Sequence, residues 1–175
     1  MKRAIMREPR QFVVDGRIFP IVVDYSQPFW QMRQGMPLTW SCTSIPYEKL
    51  KITGEGIREF NCFYVIIGKE GASFEQVVTF CERRKIELAR AEHFFAFGKG
   101  YSNEYDVKIG RNRIIGGGST WLDSHKCLDE MLALGWTSFY HAPGRELTVV
   151  GNLGTHIGSI NEPPFIKGDR FLAVK

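Results

Sequence analysis

The run Phe60-Asn-Cys-Phe-Tyr-Val-Ile-Ile67, entered after Gly54 and Gly56 and closed by Gly68, constrains the fold most. Apart from Asn61 every side chain in it is apolar. A half-exposed strand would alternate apolar and polar residues, so a near-continuous run predicts a central strand buried on both faces. Such a strand needs partners along its edges and cover over its faces. At 175 residues and 20.0 kDa the chain suits one domain, 1–175, and no linker is long enough to divide it.

The other elements follow from local signals. Gln11–Val14, Asp15-Gly16 and Arg17–Val23 read as a β-hairpin, because Asp-Gly between β-formers is a strong two-residue turn signal. Pro20 cannot donate to a ladder, which places its strand at an edge or interrupts it. Ser26–Gly35 reads as a short helix, with Ser26 as cap, Pro28 in the first turn and Gly35 at the end. Residues 36–55 read as irregular. Ser73-Phe-Glu-Gln76 opens a helix through a capping box, and Phe74, Val77, Val78 and Cys81 supply its apolar stripe. Ile86–Leu88 reads as a short strand and Ala89–Phe97 as a second helix stopped at Gly98. Trp121–Leu134 shows a helical period, with Trp121, Leu128, Met131 and Leu132 on one face. Glu146–Val150 and Arg170–Val174 read as strands. Strands and helices without regular βαβ alternation predict an α+β fold, two or three helices on a mainly antiparallel twisted sheet.

Composition narrows the class. Hydrophobic residues at 43% and aromatics at 13% supply a core, which excludes a disordered chain. No apolar run approaches the roughly 18 residues of a membrane span. The basic start Met1–Arg10 has no apolar stretch behind it, so no secretory signal is expected. Cysteines 42, 62, 81 and 127 fall in no C-x-x-C spacing and read as reduced thiols of a cytoplasmic protein. A net charge of +4 is mild, so nucleic acid is a disfavoured partner.

Two constellations could carry chemistry. Gly116, Gly117 and Gly118 precede the expected helix, with Arg111 and Arg113 upstream. Amides of a glycine loop at a helix start attract anions, and arginines strengthen that. No phosphate-loop lysine follows, and Asp123 would repel phosphate, so a plain turn is the simpler expectation. His125, Cys127 and Asp129 cluster in sequence, but positions i and i+2 of a helix diverge. His141 and His156 have no ligand spacing, so neither a metal nor a cofactor is expected. His93, beside Phe94, Phe95 and Phe97, reads as a half-buried packing residue.

Residues 72–97, a helix, a short strand and a helix rich in acidic and aromatic residues, resemble the formylglycine-generating-enzyme branch of the C-type-lectin-like fold. Ala91-Glu-His-Phe-Phe95 is similar to that branch's T-E-A-E-W-E helix, and Gly168–Val174 to its closing G-F-R strand. Arg7–Gly16 and the Arg170–Val174 ending also resemble small uncharacterised bacterial proteins. If Gly117–Trp121 corresponds to the branch's G-G-S-W segment, residues around Trp121 would be strand rather than helix. The paired active-site cysteines of the enzymes have no counterpart, since no cysteine follows Cys127. The resemblance therefore implies a scaffold for ligand display, not the enzyme activity.

These features together predict a non-catalytic module that binds a protein or small molecule through the loops 99–120 and 151–168. Tyr101, Tyr105, Trp136, Tyr140 and Asn152 are the candidate contact residues, although aromatics there equally suit packing. The alternative is an anion-, nucleotide- or nucleic-acid-binding protein or enzyme using Arg111, Arg113 and Gly116–Gly118.

Overall fold

The computed structural model describes residues 11–41, 45–105, 113–122, 129–137, 144–151 and 165–175. Along the chain these form β1 (Phe12–Val14), β2 (Phe19–Asp24), α1 (Phe29–Arg33), β3 (Trp40–Ser41), β4 (Ile57–Ile67) and α2 (Phe74–Arg84). Then come β5 (Glu87–Leu88), α3 (Ala91–Gly100), β6 (Ile114–Leu122), β7 (Asp129–Thr137), β8 (Gly144–Gly151) and β9 (Arg170–Val174). The strands make one open sheet in the order β1-β4-β9-β6-β7-β8-β3, with β2 also on β4 and β5 also on β9. Among the described residues only β3 on β8 and β6 on β9 pair in parallel, so the α+β expectation holds. Among the described residues no helix is long and apolar enough to cross a membrane.

The apolar run forms β4, and its side chains alternate between two cores. Cys62 and Tyr64 enter one core, Phe63, Val65 and Ile67 the other. Its neighbour β9 divides likewise, Leu172 and Val174 against Phe171 and Ala173. The first core is closed by Phe29 and Met32 of α1 and by Phe94, Phe95 and Phe97 of α3. The second is closed by Val77 and Cys81 of α2 and by Phe165. The α2 capping box is present: Gln76 N–H donates to Ser73 Oγ (3.2 Å) and Ser73 N–H to Gln76 Oε1 (2.9 Å).

Four expectations need correction. First, β1 and β2 do not fold back on each other; both lie along β4. Val14 faces Val65 while Phe19 faces Cys62, five steps against three, so two residues bulge out between them. Asp15 N–H still reaches Tyr64 O (2.9 Å), and the Asp15 carboxylate accepts from Arg17 N–H (3.1 Å) and Nε (2.8 Å). A hairpin would have left part of a long apolar strand without an edge partner. Second, Trp121 and Met131–Leu134 are strand residues of β6 and β7, not helix. Met131 and Ala133 enter one core and Leu132 and Leu134 the other, an alternation that a continuous apolar run conceals. Third, α3 runs through Gly98, where a Cβ would collide with Met36. Likewise Ser26 does not cap α1; its hydroxyl donates to Asp24 Oδ1 (2.6 Å).

Both described cysteines are buried, and burial pushes the Cys62 thiol up to about 12 and Cys81 to about 11. Thiolate is the reacting form, so both should be inert in the native state. In a Cys42→Ser/Cys127→Ser background, Ellman's reagent is expected to label neither within minutes until denaturant is added. Prompt native labelling would contradict this.

Candidate functional site

Gly116, Gly117 and Gly118 lie within β6, not in a loop. A Cβ at Gly116 would stand 2.8 Å from Phe94, one at Gly117 3.1 Å from Phe171, and one at Gly118 would strike the Leu88 carbonyl. The register with β7 shifts between Gly116 and Thr120, and the freed stretch turns toward β5 and α3 instead. Gly118 N–H donates to Ala89 O (3.0 Å), and Ser119 Oγ accepts from Ala91 N–H (2.9 Å) at the start of α3. The glycines thus permit close packing of backbone on helix. Arg113 Nη2 pairs with Asp169 Oδ2 at 2.9 Å, and Asp169, fully buried, also accepts from the Arg113 (3.1 Å) and Ile166 (3.1 Å) amides. Arg111 lies outside the described residues.

Of the aromatic candidates, Tyr101 is a packing residue. Its ring stacks on Phe97 at 5.3 Å and meets Phe19 edge-on at 5.1 Å. Its hydroxyl donates to Pro20 O (2.7 Å). Asn61, opposite Pro20, exchanges backbone bonds with Lys175 on its other side, so the Pro20 carbonyl faces the outer edge of β2. Tyr101 and the missing proline amide together close that edge to further pairing. Tyr105 ends the 3-10 turn Ser102–Tyr105, which lies against β7. Trp136 belongs to β7, and Tyr140 and Asn152 lie outside the described residues.

The register assembles a corner that the sequence did not reveal. Trp136 is opposite Arg145, Gly135 opposite Glu146, and Thr137 opposite Gly144. On the far side of β8, Trp40 of β3 is the partner of Glu146. Two cross-strand pairs, Trp136–Arg145 and Trp40–Glu146, therefore stand at this end of the sheet, one on each face because consecutive strand residues alternate. Glu146 is partly buried, which raises its carboxyl above the usual range. Trp40 and Glu146 escaped notice because a two-residue parallel strand has no local signature.

A second polar group lies under α3. Glu92 and His93 are buried, with 0% and 3% exposure. His93 Nδ1 accepts from Arg90 N–H (3.1 Å), so a neutral ring carries its proton on Nε2, 3.2 Å from Tyr25 Oη. Glu92 Oε1 accepts from the Thr53 hydroxyl (2.6 Å), while Oε2 is buried with no hydrogen-bond partner. Gly54 lies against the Tyr25 ring so closely that no Cβ would fit. The sequence signal was a Glu-His pair set between Ala91 and Phe94-Phe95 on a helix buried nearly all round.

Burial disfavours the imidazolium and holds His93 below its ordinary 6.5. The unfolded chain then binds the proton more readily than the folded one. The neutral ring's stabilisation is present above about 6.5 and is lost as pH falls through the folded value. Urea midpoints are expected to drop from pH 7.5 to 5 more steeply in wild type than in His93→Phe. Equal slopes would refute the assignment.

No family model matches the chain, and neither a curated protein nor a solved structure does. Fold and site define an α+β protein with helices on both faces of an open, mostly antiparallel sheet.

Proposed function

We propose that the chain is a binding module for a protein or small-molecule ligand, with its recognition surface at the β7–β8–β3 corner. The observation that carries this is the register: the cross-strand pairs Trp136–Arg145 and Trp40–Glu146 flank the same end of the sheet, one on each of its faces. The turn that ends at Tyr105 lies against β7. Tryptophan, tyrosine and arginine dominate binding hot spots because they offer large contact area at small entropic cost. Positions on strands hold such groups more rigidly than loops do. Reduced thiols and cytoplasmic residence accompany this proposal.

The test is to screen immobilised protein against a glycan array and a displayed peptide library. Trp136→Ala and Glu146→Ala are expected to weaken retained ligands at least tenfold, while Tyr101→Phe leaves them unchanged. No ligand retained above the Trp136→Ala background would overturn the proposal.

A further inference from the structure

Trp30 and Arg33 share one side of α1, because residues three apart on a helix are neighbours, while Phe29 and Met32 enter the core. Beyond the helix the chain doubles back. Gly35 takes a φ of 87°, Met36 N–H donates to Arg33 O (3.1 Å) and Leu38 N–H to Met36 O (2.8 Å). The result is an open pocket of about 430 Å³, lined by Trp30, Arg33, Gly35, Met36 and Leu38. Met36 is anchored from α3, since it packs where a Gly98 Cβ would stand. Trp30, by contrast, is 53% exposed, an unusual position for a large apolar ring.

α3 also brings a cation to this pocket. The Lys99 side chain runs past Gly35, with Cε and Nζ 3.2 and 3.7 Å from where a Gly35 Cβ would be. Its ammonium therefore lies at the wall that Gly35 forms. Among the described residues no carboxylate lines the pocket, and neither Arg33 nor Lys99 makes an ion pair. Two cations beside an exposed indole suit an anion with a flat apolar body. A guanidinium matches a carboxylate through two parallel N–H bonds, and an aromatic ring packs on the indole. The C-terminal ends of α1 and α3 meet here, and their carbonyls carry partial negative charge. A monoanion is thus better accommodated than a dianionic phosphate. Roughly 150 Å³ holds a benzene ring, so the pocket has room for a ring, a short planar arm and its carboxylate.

We propose that this pocket binds an aromatic carboxylate, its ring on Trp30 and its carboxylate between Arg33 and Lys99. The site shares no residue with the β7–β8–β3 corner, so the two readings stand or fall separately. The experiment titrates cinnamate, cinnamamide and propionate into the protein at matched ionic strength and pH 7. The readout is the Trp30 indole N–H and the Arg33 and Gly35 amide resonances. Saturable shifts with cinnamate are expected. Cinnamamide, which lacks the charge, and propionate, which lacks the ring, should bind at least about tenfold more weakly. Trp30→Ala and the double variant Arg33→Met/Lys99→Met are each expected to weaken cinnamate at least about tenfold, with amide dispersion reporting that they are folded. The three ligands compared on wild type decide the matter even where a variant fails to fold. Absence of saturable shifts, equal affinity for cinnamamide or propionate, or unchanged affinity in either folded variant would overturn the proposal. Shifts confined to Trp136 and Glu146 would assign the acid to the corner and overturn it as well.

Discussion

Deleting residues 169–175 is expected to abolish folding, although it removes only the last turn and strand. β9 joins the β1-β2-β4 part of the sheet to the β6-β7-β8-β3 part. It pairs with β4 from Cys62–Val174 to Ile66–Arg170, with β5 at Glu87–Val174 and with β6 at Ile115–Phe171. Phe171, Leu172 and Ala173 are 0% exposed and Val174 5%. Burying the three larger side chains contributes about 1.5–3 kcal/mol each, before any ladder bond is counted. That approaches the whole stability of a typical domain, about 5–15 kcal/mol. Far-UV circular dichroism and amide dispersion of the truncated chain should report an unfolded protein. A milder probe is Phe171→Ala, expected to cost about 3–5 kcal/mol in urea unfolding. A truncated protein melting like wild type would show that β9 is dispensable.

The second large effect is expected at Asp169. Its carboxylate accepts two backbone amides and pairs with Arg113, whose side chain is only 13% exposed. These bonds tie the 166–169 turn to the start of β6, beside the Arg170–Ile114 pairing. Asp169→Ala would leave a largely buried guanidinium without this carboxylate and two amides without this acceptor. Breaking one side of such a pair costs about 3–5 kcal/mol. The corresponding fall in urea midpoint, at unchanged denaturant sensitivity, is the expected result. A loss below about 1 kcal/mol would mean that water replaces the carboxylate.

The same residues explain why an anion-binding loop suggested itself. Glycines after arginines carry one local signature whether they cradle a phosphate or let a helix approach a strand. Only the position of Phe94, Phe171 and the Leu88 carbonyl separates the two. Tyr101 is a parallel case, since an aromatic in a polar stretch serves a ligand or an edge carbonyl equally well.

What the sequence determined by itself was local or periodic: β4 as the buried central strand, the Ser73–Gln76 capping box, two core helices, and a terminal strand. Each rests on interactions within a few residues or on one strand's own burial. Tertiary structure decided the rest. Whether β1 and β2 pair with each other or with β4 depended on a partner some fifty residues away, and Asp-Gly could not report it. Whether Met131–Leu134 is helix or strand depended on a core being available to each face. The pairing of Trp40 with Glu146 arises from a parallel register spanning about a hundred residues of chain. The burial of Glu92 follows from α1, β2 and the Thr53 segment closing over α3. Contacts between distant segments are set by the free energy of the whole packed core, and no short window of sequence contains that quantity.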